Sequence, residues 1–211
     1  ASPASRVREK AKEAAVPAPT RVAAPGLAER PGPVHQWFRE LMVEILRDRE
    51  TLVALASRSR SKLDRWLQFE LADRLQQEGS TRVMVEVAGA DRRADLTFFL
   101  AGERYDVELK TANTNWRIPG VIQSIRPITD NIQGIVRGAD RLVAGSAKGL
   151  VAFILFPVPP SDKRWSMYLD RIASAAGVPV SEREHCSTVP VRLGDGLTCD
   201  VVVCVFPYPP E

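Results

Sequence analysis

The run "GLVAFILFPV", residues 149 to 158, contains no polar side chain in ten positions. Successive residues of a β-strand point to opposite faces, so a strand with this sequence must be covered on both sides. The segment "CDVVVCVFPYP", residues 199 to 209, repeats the pattern almost as strongly. Strands of this kind belong to open sheets with helices on each face. The two runs therefore predict an α/β domain with a central sheet. Both are too short for a bilayer, which needs about 20 apolar residues in a helix.

The helices that such a sheet requires are legible by period. Phe38, Leu41, Met42, Ile45, Leu46, Leu52 and Val53 recur at helical spacing and predict one helix over 34–57. "SKLDRWLQFELADRLQQEG" predicts a second, with Leu63, Leu67, Leu71 and Leu75 as its buried stripe and Gly79 at its end. "TDNIQGIVRGADRLVAG" predicts a third, with Thr129 or Asp130 as N-cap. Gly134 and Gly138 stand one turn apart in it and would let it lie close against a sheet. "SDKRWSMYLDRIASAAG" predicts a fourth, capped by Ser161 or Asp162. Between the second and third lie three short strands, "TRVMVEVAG", "RADLTFFLA" and "RYDVELK", the last two joined by a tight turn at Gly102–Glu103. Three strands in succession predict an antiparallel meander. The later apolar strand joins it through a helical crossover, making a mixed sheet.

Residues 1–33 read differently. They hold six prolines among many alanines and no apolar period, so they predict a disordered linker or tail. They also carry the entire formal charge of +3, with six basic and three acidic residues; residues 34–211 balance. Net charge on the folded part thus gives no argument for nucleic acid. The domain is expected over 34–211, with a core at 62–157 and a C-terminal helix and strands at 161–209. Cys186, Cys199 and Cys204 form no CxxC pair, and the apolar h-region of a secretory signal is missing at the start. These features predict buried thiols in a reducing, cytoplasmic setting. The chain begins without Met, which suggests processing or a larger partner domain N-terminal to the linker.

Charged residues interrupt the apolar pattern of two strands and one helix. In "RYDVELK" Tyr105, Val107 and Leu109 share one face, and Asp106, Glu108 and Lys110 the other. Asp95 lies near the start of the preceding strand, and the hairpin brings it back toward Glu108 and Lys110. Two carboxylates at one point repel and need a counter-charge, which a hard divalent cation with oxygen ligands supplies. A lysine beside such a cation can hold or deprotonate a water and contact a phosphate oxygen. Glu70 and Arg74 fall within the leucine stripe of the second helix, where charge is costly unless partnered. They predict either a buried pair at i,i+4 or a Glu70 that faces a cleft.

With "ADL" at Asp95 and "ELK" at Glu108 and Lys110, the chain resembles the PD-(D/E)XK superfamily of restriction-endonuclease-like nucleases. The resemblance covers residues 62–157 in the order helix–strand–strand–strand–helix–strand, although Ala94 stands where the motif has Pro. It implies a restriction-endonuclease-like fold and Mg²⁺- or Mn²⁺-dependent hydrolysis of DNA, in restriction, repair, recombination or phage defence. Asp95 and Glu108 would bind metal, Lys110 would assist the water, and Glu70 would complete the site. It leaves room for a homodimer and for a non-catalytic nucleic-acid-binding or scaffold module of the same fold.

Weaker candidates are Glu86, as an extra ligand or a partner of Arg92 or Arg93, and Gln133, near metal or substrate. Asn113, Asn115, Trp116 and Arg117 form a polar loop suited to phosphates and a base. "SRSRSKLDR" at 57–65 is locally basic and suited to a DNA backbone. His185–Cys186 lacks an orienting third group and is discounted as a nucleophile–base pair.

Overall fold

The computed structural model describes residues 32–80, 82–88, 93–124, 127–142 and 147–209. Almost all of the 1–33 tail, together with Arg92 and the side chain of Arg93, lies outside them.

The first predicted helix is two. Helix α1 (Val34–Asp48) and helix α2 (Glu50–Ser59) are separated at Arg49, whose φ of −111° and ψ of 28° leave the helical region. α1 buries Phe38, Met42, Ile45 and Leu46, and α2 buries Val53 and Ala56. A straight rod could not keep both stripes on a twisted sheet; the bend lets α1 pack chiefly on one strand and α2 on the next. Helix α3 (Asp64–Gln77) follows, with Leu67, Leu71 and Leu75 fully buried as the leucine period requires.

Six strands form one mixed sheet: β1 (Val83–Ala88), β2 (Arg93–Leu100), β3 (Glu103–Asn113), β4 (Lys148–Val158), β5 (Cys186–Gly194) and β6 (Leu197–Pro207). Their spatial order is β1-β2-β3-β4-β6-β5. The β3–β4 pair is parallel, and helix α4 (Ile128–Leu142) lies in the connection between them. The other pairs are antiparallel. α4 starts at Ile128, so Thr129 and Asp130 lie inside its first turn and are not its cap. Helix α5 (Ser166–Ala176) starts later than expected, after Trp165. Ser161 adopts φ 61° and donates its N–H to Asp200, while Asp162 binds Arg164, so neither side chain caps the helix. A short helix α6 (Glu182–His185), capped by Ser181, precedes β5.

The apolar runs are explained by two cores, one on each face of the sheet. Leu150, Ala152, Ile154 and Phe156 of β4 join α1, α2 and α3 in one; Val151, Phe153 and Leu155 join α4 and α5 in the other. β6 divides in the same way, with Val201, Val203 and Val205 opposed to Val202, Cys204 and Phe206. Each fully buried side chain of this size contributes about 1.5–3 kcal/mol. β5, at one edge, buries only alternate residues and tolerates Pro190. Among the described residues no helix is long and apolar enough to cross a membrane.

Candidate metal and phosphate site

A two-residue turn at Ala101 and Gly102, with φ of 51° and 83°, joins β2 to β3 one residue earlier than the sequence suggested. Both central residues have positive φ, the geometry that matches strand twist in tight hairpins. The turn sets the register Leu100↔Glu103 through Leu96↔Val107. Continuing it places Asp95 across from Glu108, on the sheet face that α4 covers. There the Leu109 N–H donates to Asp95 Oδ2 at 2.9 Å. Leu96 and Val107 point the other way, into the core with α1 and α3.

Asp95, Glu108 and Lys110 meet. Lys110 Nζ lies 3.1 Å from Asp95 Oδ2, 2.6 Å from Glu108 Oε1 and 3.0 Å from the Leu109 carbonyl oxygen. Three oxygens thus converge on one cationic atom. The guanidinium of Arg141, on α4, also binds Glu108 Oε1. The side chain of Glu108 is 0% exposed, yet among the described residues its second oxygen, Oε2, has no hydrogen-bond partner. Gly138 explains how α4 fits over it: a β-carbon at that position would overlap the Glu108 side chain. The glycine spacing in α4 was legible in the sequence; that it makes room for a carboxylate was not.

Burial raises the Glu108 pKa, and the Asp95 charge adds to the rise; Lys110 and Arg141 oppose it. For Lys110, burial works to lower the pKa, but the Glu108 and Asp95 carboxylates together outweigh it and the net shift is upward. Lys110 is therefore an ammonium in this state.

The remaining candidates are placed elsewhere. The bend at Arg49 sets Asp48 and Arg49 against α3, and each takes a partner from it: Glu70 accepts from Arg49 Nε at 3.1 Å, and Arg74 pairs with Asp48. Glu70 also accepts from Trp66 Nε1 at 3.2 Å. No hydrogen bond or ion pair among the described residues joins it to Arg74, Asp95, Glu108 or Lys110. Glu86, at φ 53°, pairs with Arg65 of α3. Among the described residues no group of three or more His, Cys, Asp or Glu side chains could hold a metal ion. Among the described residues a cation here would have two carboxylates.

Gln133 is exposed on α4. Trp116 lies against Tyr168 at 5.6 Å between ring centroids, with Arg164 over its ring. The basic 57–65 segment is largely used internally. Arg58 donates to the Leu193 carbonyl, and Arg60 donates to the carbonyls of Thr114, Trp116 and Ile122 and fastens that loop. Lys62 stays exposed beside a groove of about 370 Å³ that Asn113 and Asn131 also line. His185 Nδ1 accepts from the Ser181 N–H and serves the α6 turn. Arg141 is the site residue that sequence reasoning missed; its signal was its place one turn after Gly138.

No family model, curated protein or solved structure matches the chain.

Proposed function

We propose that the chain is a Mg²⁺- or Mn²⁺-dependent nuclease of PD-(D/E)XK type that hydrolyses phosphodiester bonds of DNA. The observation that carries this reading is Glu108: a buried carboxylate with one unpartnered oxygen, set beside a second carboxylate and an ammonium. A purely structural pair would satisfy both oxygens. The run of elements from α3 through β1, β2, β3 and α4 to β4 follows the order that the resemblance calls for, and this supports the reading further.

The donor set fits a hard divalent cation. Asp95 and Glu108 supply charged oxygens and Leu109 a neutral one, all now within 3.1 Å of Lys110 Nζ. Mg²⁺ is commonly held by one or two carboxylates, with waters and substrate phosphate completing its shell, so a third protein carboxylate is not required. Such an ion would polarise a phosphoryl oxygen and lower the pKa of a bound water. Lys110, as an ammonium, would orient that water and meet charge developing on the phosphate. Arg137 and Arg141, one turn apart on α4, offer cations toward a polyanion. Glu70, held by Arg49 and Trp66, has no part in this set.

A second reading also has an observation behind it. Lys110 and Arg141 already balance Asp95 and Glu108, as a non-catalytic module of this fold would need. Incubation with supercoiled DNA, with Mg²⁺, Mn²⁺ or chelator, separates the two. The nuclease reading expects metal-dependent nicking or linearisation that Lys110→Ala abolishes while Mn²⁺ binding, measured calorimetrically, persists. Inertness on supercoiled and linear DNA, with no Mn²⁺ bound, would leave the scaffold.

A further inference from the structure

Charge balance at the site points to a role for Arg141. Without a divalent cation, two carboxylates face two cations among the described residues, and their formal charges cancel. Entry of a divalent ion would leave an excess of two positive charges in a largely buried place, which an anion would have to offset. The two protein cations differ in their freedom to respond. Lys110 is tied to three acceptors and is 29% exposed. Arg141 is 49% exposed and is held through one nitrogen, on an oxygen it shares with Lys110. Among the described residues nothing else holds its planar fork, which suits phosphate oxygens once it turns away from Glu108.

We infer that Arg141 is the phosphate-binding residue of this site, resting on Glu108 in the metal-free protein and transferring to a DNA phosphate when the metal enters. Metal and DNA then bind cooperatively, each raising the affinity for the other by the same factor. The inference rests on the nuclease reading and adds to it the residue that couples metal to substrate.

The test uses the full chain and a labelled phosphorothioate duplex, which resists cleavage, titrated from about 50 to about 200 mM salt in chelator and in Mn²⁺. In chelator, wild type and Arg141→Gln should show the same salt slope, because Arg141 is engaged by Glu108. In Mn²⁺ the wild-type slope should steepen by about 0.9, the increment for one phosphate contact. Arg141→Gln should lack that increment, and Arg141→Lys should restore part of it. Mn²⁺ affinity should rise with DNA in wild type and not in Arg141→Gln. Equal slopes in Mn²⁺ for wild type and Arg141→Gln, with a lower melting temperature for the variant, would make Arg141 a structural counter-charge and overturn the inference alone. A wild type that binds no Mn²⁺, with or without DNA, would overturn the nuclease reading and this inference together.

Discussion

Asp106 and Glu108 lie two residues apart on the same face of β3, and they are finished differently. Asp106 accepts from Thr97 Oγ1 at 2.7 Å and takes Arg104 through two nitrogens at 3.0 Å. Thr97 is its direct cross-strand neighbour, and neither Asp106 oxygen is left without a partner. Glu108 puts two cations on one oxygen and none on the other. Both carboxylates are buried, so burial does not separate a closed structural pair from the open acceptor that the nuclease reading requires. Completeness does. A closed network stabilises a fold, whereas an open acceptor in a dry place costs stability and needs a reason to persist.

The widest separation between the two should appear in activity. Asp95→Asn, which removes a charge from the open cluster, should lower cleavage at least about 10²-fold, the scale of losing one electrostatic contact to a reacting centre. Mn²⁺ affinity should fall with it. Asp106→Asn should leave cleavage within a few-fold and instead cost about 1–3 kcal/mol in denaturant unfolding, because it disturbs a satisfied buried network. Loss of cleavage in Asp106→Asn without loss of stability would dissolve the distinction.

Gly138→Ala asks whether the open cluster depends on the close approach of α4. The added methyl would overlap Glu108. Relief requires α4 or the carboxylate to shift, at about 1–3 kcal/mol, and cleavage should fall together with stability. An unchanged protein would show that α4 does not confine Glu108.

In chelator, Glu108→Gln should be neutral or stabilising at pH 7, opposite in sign to Asp106→Asn. The sign follows from linkage. A carboxylate whose folded pKa lies above its usual value near 4.5 makes the folded state less stable as pH rises from that value through the folded pKa. Glutamine removes this dependence, so thermal melts between pH 4 and pH 8 should flatten in the variant. A melting profile unchanged by the substitution would mean that the burial penalty on Glu108 is already offset.

The smallest effect is expected at Glu70. Its bond to Arg49, a residue 56% exposed, is worth about 0–1 kcal/mol, so Glu70→Gln should shift stability little and spare cleavage. A large loss of Mn²⁺ binding in this variant would return Glu70 to the site.

Much of this layout follows from the chain itself. The uninterrupted strands at 149–158 and 199–209 required cover on both faces, since period-two geometry leaves no face for water. The leucine stripe at 63, 67, 71 and 75 located α3, and the hairpin between β2 and β3 brought Asp95 toward Glu108 and Lys110. These are consequences of local periodicity and turn chemistry, which short stretches of sequence encode. The break at Arg49 is of another kind, because it depends on the course of β5 and β6, strands more than a hundred positions away. So is the fate of Glu70 and Arg74: at i,i+4 they suit each other, but the α1–α2 bend presents Arg49 and Asp48, and the longer-range partners win. Arg141 reaches Glu108 only because Gly138 lets α4 lie against β3, and no spacing within the helix states which side chain waits beneath it. The sequence determined which charges lie on the strands; tertiary packing decided which were closed into networks and which single oxygen was left open, because partners are set by distance in space and periodicity reports only position along an element.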